Sequence, residues 1–134
     1  ALTVATSSGD IKLDSVSSKD TRISANSGDV SLGDVVMDNI DLKTSSGNIT
    51  SGSIKAKRIN GRASSGDVMI RDCDASEINV VTTSGDVSIG IGSEMKYEYN
   101  TKTSSGDVNV PDSVEGADGK CNIETSSGDI DVTQ

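Results

Sequence analysis

Histidine, phenylalanine and tryptophan do not occur in this 134-residue chain, and proline occurs once, at Pro111. Without histidine there is no His-dependent catalytic triad and no His-ligated zinc site. Aromatic side chains are limited to Tyr97 and Tyr99, and hydrophobic residues make up only 32% of the chain. A thick two-layer core cannot be filled from that stock; a thin core of small β-branched side chains can. No apolar run approaches the about 18 residues that a membrane-spanning helix needs. Positive charge is also scarce, with 12 Lys and Arg against 21 Asp and Glu for a net charge of −9. That balance argues against nonspecific binding to nucleic acid or an anionic membrane, both of which require a basic face.

What is present is Gly, Ser, Asp and Thr, a composition that by itself suggests disorder. A strict period contradicts that reading. "SSGDV" at Ser104–Val108 recurs with small changes at Ser7–Ile11, Asn26–Val30, Ser45–Ile49, Ser64–Val68, Thr83–Val87 and Ser126–Ile130. The repeated glycines are Gly9, Gly28, Gly47, Gly66, Gly85, Gly106 and Gly128. They lie 19 residues apart four times, then 21 and 22. Internal repeats of about 20 residues signal a solenoid, and the leucine-rich-repeat consensus of similar period is missing.

Aligned on the glycine, the repeats form columns. Two residues after it stand Ile11, Val30, Ile49, Val68, Val87, Val108 and Ile130; four after it, Leu13, Leu32, Ser51, Ile70, Ile89, Val110 and Val132. Seven before it stand Leu2, Thr21, Ile40, Ile59, Ile78, Tyr99 and Cys121; five before it, Val4, Ile23, Leu42, Gly61, Val80, Thr101 and Ile123. Three before it stand Thr6, Ala25, Thr44, Ala63, Thr82, Thr103 and Thr125, with Thr and Ala alternating over the first five. A shorter third set, Val16, Val35, Ile54 and Cys73, falls seven after the glycine. Alternation of this kind marks strands with one buried face. The fold class is therefore an all-β, single-stranded β-solenoid (β-helix-like) of 19–22 residues per coil. Each strand is expected to pair in parallel with its copy in the next coil.

The inward positions before the glycine are odd and those after it are even, which a flat strand does not allow. The S-G-D unit is the predicted phase switch. Gly is expected there for a positive φ, with Ser and Asp bonding nearby backbone within Asx- and Ser-type turns. Asp10, Asp29, Asn48, Asp67, Asp86, Asp107 and Asp129 should stack as a ladder one rung apart. Such a ladder raises two readings. Stacked carboxylates could supply calcium ligands, although the G-G-x-G-x-D calcium repeat is not matched and Asn48 interrupts the charge. The alternative makes each Asp a turn residue, and this is the favoured reading; no cofactor is expected. A parallel serine ladder does not suit ice binding, because it lies at a bend and its Thr partners point inward.

Cys73 and Cys121 are read as buried apolar fillers two rungs apart, too far for a disulfide. Lys55, Lys57, Arg58, Arg62 and Arg71 form a basic cluster, with Lys43 and Arg62 in one column, able to contact an anionic envelope polymer. The sequon at Asn48 falls on the ladder, where a glycan would displace a turn residue. The longer coils carry insertions at Gly90–Tyr99 and Pro111–Lys120, and that side, with Tyr97 and Tyr99, is the expected contact surface. The chain starts and stops inside repeats. One domain over 1–134, as a piece of a longer protein or with ends that stack on other molecules, is the expectation. No signal peptide is visible.

"KTSSGNI", "RASSGDVMI", "VTTSGDVSI" and "KTSSGDVNV" resemble the unit of a bacterial family of SGD-repeat β-solenoid domains, labelled adhesin-like and of unknown function. The resemblance spans the chain. It implies an envelope-associated, extracytoplasmic protein anchored through a segment outside these residues, and it brings no catalytic residues. The function expected is a non-enzymatic scaffold or adhesion-type solenoid that meets an envelope polymer or surface protein, not nucleic acid. The alternatives are a calcium-stabilised binding module and a carbohydrate-active enzyme with paired carboxylates.

Overall fold

The computed structural model describes residues 1–91, 96–111, 115–117 and 119–133. Strands are β1 (Leu2–Thr6), β2 (Ile11–Ala25), β3 (Val30–Thr44), β4 (Ile49–Ala63), β5 (Val68–Thr82), β6 (Val87–Ile91), β7 (Tyr97–Thr103), β8 (Val108–Asn109), β9 (Gly119–Thr125) and β10 (Ile130–Thr133). All pairings are parallel and join the strands into one sheet wound as a β-solenoid of about six turns. The 19-residue period is exact in the register: Ile23 lies on Leu42, Leu42 on Gly61 and Gly61 on Val80.

The columns read from sequence are the core. Ile40, Ile59, Ile78 and Cys121 are buried, as are Val30, Ile49, Val68, Val87 and Ile130. Val35, Ile54 and Cys73 form the third buried column. β-branched side chains suit this geometry, since each stacks on its copy one rung, about 4.8 Å, away. The coil Ile49–Ala63 is the thinnest. Its Gly61 has space where neighbouring coils carry Leu42 and Val80, and the buried Ser51 hydroxyl finds no partner.

Sequential stacking holds only as far as β6. The expected order then fails, because β9 pairs with β5 and β10 with β6. β7 and β8 lie outside them, on β9 and β10. From the coil of Gly85 the chain passes over one level, lays down 97–110, and returns to place 119–133 in the slot between. The corners therefore stack in the order Gly9, Gly28, Gly47, Gly66, Gly85, Gly128, Gly106. The physical reason lies in the two columns that differ most. The enclosed coil supplies Ile123 and Ile130, 2% and 1% exposed, while the outer coil supplies Thr101 and Val108, the latter 42% exposed. The more apolar rung is sandwiched, and the more polar one caps the stack, as solenoid ends require. Cys121 is consequently one rung from β5, not two; it and Cys73 are both buried and free.

Candidate functional site

The T-S-S-G-D corner is the most repeated polar feature, and the hydrogen bonds it makes run mostly from rung to rung. Backbone ladder bonds run through the two serines, as in Asn26 N to Thr6 O and Ser27 N to Ser7 O. After the glycine the ladder reverses, and Ile11 N donates to Asp29 O on the following rung. Between these regimes, the Gly carbonyl and the Asp amide have no backbone partner across the rung. Side chains replace them. Asp29 N donates to Asp10 Oδ1, Asn48 N to Asp29 Oδ1 and Asp67 N to Asn48 Oδ1, each at 2.9 Å. The series continues through Asp86 onto Asp67, Asp129 onto Asp86 and Asp107 onto Asp129. Thr closes the other gap. Thr82 Oγ1 donates to Gly66 O and accepts from Gly85 N, and Thr44 does the same for Gly28 and Gly47.

Two expectations change here. The corner glycines do not have positive φ; among the described residues only Gly116 does, at 75°. Glycine is required instead because the position points inward at the rung below. A Cβ on Gly66 would overlap the carbonyl of Gly47, and one on Gly28 the carbonyl of Gly9. The parity switch thus lies in the two serines, with glycine already in phase with the following strand. Asp and Ser also do not close turns within their own corner. Asp accepts from the next rung, and Ser65 Oγ donates to Ser45 O of the preceding one. Asn48 performs the same task as its Asp neighbours, so the ladder uses the side-chain oxygen and not the charge.

Tyr97 and Tyr99, expected on a contact surface, are core residues at 1% and 9% exposure. Their ring centroids are 6.0 Å apart. The Tyr97 hydroxyl donates to the carbonyl of Ala75. Register pairing between β5 and the next rung stops at Cys73 and resumes at Glu77, so this carbonyl faces a gap that the ring fills. Gly119 makes room, since a Cβ there would strike the Tyr97 ring. Burial raises Tyr99 to about 12. It also raises Cys121 to about 12, and Cys73 to about 12 with Cys121 adding to the shift. These thiols stay protonated and unreactive near neutrality. Of the two insertions expected to form an interaction face, residues 92–95, 112–114 and 118 lie outside the described residues.

A column the sequence reading passed over stands six residues before the glycine. Asn100 donates to Asn122, Asn122 to Asn79 and Asn79 to Asn60, a chain of side-chain amides across four rungs. Asn79 also donates to Glu77 Oε1 at 3.0 Å, and Arg58 Nε meets Glu77 Oε2 at 3.1 Å. The Glu77 carboxyl is held below the usual carboxylate range, chiefly by the Asn79 amide, with burial opposing and Arg58 adding. The signal was legible, since Asn60, Asn79, Asn100 and Asn122 share one repeat position. Beside this column lies a depression of about 610 Å³ lined by Arg22, Asp41, Lys43, Asn60, Arg62 and Asn79 among others. Of the basic cluster, Lys57 pairs with Asp38 at 3.6 Å, Arg58 with Glu77, and only Arg62 reaches this depression. Among the described residues no three or more His, Cys, Asp or Glu side chains are grouped so that they could hold a metal ion. No helix among them is long and apolar enough to cross a membrane.

A corner repeated on every rung of a parallel stack defines a β-solenoid domain. The model of the Toastrack DUF4097 family matches residues 1–134, and the chain belongs to that family. No curated protein and no solved structure matches it.

Proposed function

We propose that this domain is a non-enzymatic scaffold of adhesion type, working outside the cytoplasm as part of the cell envelope. The observation that carries the reading is the consumption of its repeated polar groups. The ladder Asp, Thr and corner amides satisfy one another from rung to rung, so the repeat supplies stiffness and spacing instead of reactive groups. A stack of seven corners at about 4.8 Å per rung holds an outward face flat over roughly 30 Å. Such a rod presents side chains to an envelope polymer or surface protein at a fixed distance from an anchor. The envelope location rests on the resemblance of the repeats to envelope-associated solenoids.

Two measurements test this. Incubated with a panel of polysaccharides, the purified domain is expected to release no product; release from any glycan overturns the scaffold reading. In cells expressing the complete protein, it is expected in the envelope fraction, and recovery in the cytosol overturns the location.

A further inference from the structure

Outside the Asp ladder of the corners, where like carboxylates stack because each accepts the next rung's amide, charges along the outward columns of the strands follow a rule. Arg22 stacks on Asp41, Arg58 on Glu77 and Lys55 on Asp74. Lys120 lies between Glu77 and Glu98, and Lys102 lies on Glu124. Lys43 breaks the rule by stacking directly on Arg62, the one register pair in the described strands that sets cation on cation. Below them in the column is Ser24 and above them Val81, neither of which offers a charge. Both cations are exposed and neither makes an ion pair among the described residues. Like charges facing each other across adjacent strands are destabilising. In a chain of net charge −9, this arrangement asks for an anion.

The surroundings supply the rest of a receptor. Both side chains line the 610 Å³ depression. Asn60 lines it as well, and it is the acceptor end of the amide chain, taking Asn79 on its Oδ1 while its own Nδ2 makes no bond to a described residue. Asp41, the carboxylate in the depression, is turned to Arg22 at 3.9 Å. Two cations whose backbones lie one rung, about 4.8 Å, apart and a spare amide donor line one depression, and an oxyanion seated there would accept charge-assisted hydrogen bonds from both cations.

We infer that Lys43, Arg62 and Asn60 form a binding site for the phosphate or carboxylate groups of an extended polyanion laid across the rungs. The site gives the scaffold reading a ligand chemistry and, as a scaffold's docking point, rests on it; the two failures are distinguishable, because loss of polyanion binding leaves the scaffold reading intact whereas a released product ends it. The probes are polygalacturonate for carboxylate, polyphosphate for phosphate and dextran as a neutral chain, measured by calorimetry at low salt and at 0.15 M. One of the two polyanions is expected to bind, and dextran is not. Lys43→Ala and Arg62→Ala should each weaken binding about 10-fold or more, and Asn60→Ala less. Lys102→Ala, which removes a cation stacked on Glu124, should change it by less than about 2-fold. Because the stacked pair repels itself, Lys43→Ala should leave Tm unchanged or raised, whereas a structural role would lower it. Which polyanion binds identifies the source of the oxyanion. Binding of neither, equal binding of dextran, or equal loss in Lys102→Ala overturns the site.

Discussion

The coils from β1 to β5 and those from β6 to β10 are written in the same repeat but obey different stacking rules. In the first region sequence order and spatial order coincide, and every register step is 19 residues. In the second, steps of 43 residues connect Asp86 to Asp129 and Asn79 to Asn122, and steps of 22 connect 107 to 129 and 100 to 122. The corners are indifferent to the change. Asp129 accepts from Asp107 just as Asp67 accepts from Asp86. A repeat whose units are interchangeable specifies that rungs stack, not which rung follows which. The order is then chosen by burial, and the apolar coil takes the enclosed slot.

The largest expected effect breaks a corner where it has a rung beneath it. Gly66→Ala drives a Cβ into the Gly47 carbonyl, which only a backbone shift relieves; a loss of about 3 kcal/mol or more in unfolding free energy is expected. Gly9 bears the same motif, but a Cβ there meets only Thr6 Oγ1 at 3.3 Å. Gly9→Ala should cost less than about 1 kcal/mol. Denaturant melts of the two variants compare them directly, and equal losses would mean that glycine is needed within the corner and not between rungs.

Next in size is a test of the order itself. Ile130 and Val108 hold the same repeat position, yet one is enclosed and the other outermost. Ile130→Ala should cost about 2–4 kcal/mol and Val108→Ala less than about 1 kcal/mol. Sequential stacking would reverse the pair. A cysteine pair reads the order without relying on stability. With Cys73 and Cys121 replaced by Ala, Asn79→Cys joined to Asn122→Cys lies on adjacent rungs and should oxidise to a disulfide. Asn79→Cys with Asn100→Cys lies two rungs apart, beyond disulfide reach, and should not.

How much of this was legible beforehand follows from the nature of each signal. The buried columns were readable because alternation is local; Ile11 and Leu13, or Ile40 and Leu42, declare their face without reference to any partner. The Asp ladder was readable as a stack, since register follows from period. Its bonding was not, because a sequence does not say whether Asp29 N is satisfied within its corner or by Asp10. Gly66 was identified as indispensable for the wrong reason. Positive φ and absence of room for Cβ leave the same mark on a sequence, and only the neighbouring rung separates them. The rung order was hidden because the corners match equally well in both orders. The contrast between Ile123 and Thr101 was visible, but its weight depends on knowing which coil is outermost. Tyr97 and Tyr99 were misplaced for a related reason: aromatics beside irregular segments resemble a contact surface until the Tyr97 ring is seen to fill the gap in register between Cys73 and Glu77. The oxyanion site was half-visible in the shared column of Lys43 and Arg62, and most of the opposite-sign pairs that make it an exception follow from the 19-residue period; only the place of Lys120 between Glu77 and Glu98 emerges from the true register.

The smallest effect concerns the column that alternates between Thr and Ala. Thr82 closes both the Gly85 amide and the Gly66 carbonyl while 2% exposed, so Thr82→Ala removes two hydrogen bonds from a buried corner. A loss of about 1–3 kcal/mol is expected, because the amide and carbonyl remain buried. Ala63, 5% exposed, occupies the same position one rung below. Thr82, Thr125 and Thr103 already stack on consecutive rungs, so the column accepts adjacent threonines. Ala63→Thr should place Oγ1 between the Gly66 amide and the Gly47 carbonyl and stabilise the fold by about 0.5–1.5 kcal/mol. The gain should appear in the regular region as readily as the loss does, since the corner geometry there and beyond β5 is the same. If Ala63→Thr destabilises while Thr82→Ala does too, the alternation is a packing requirement of the inner face, and the hydrogen bonds of Thr82 follow from that packing instead of directing it.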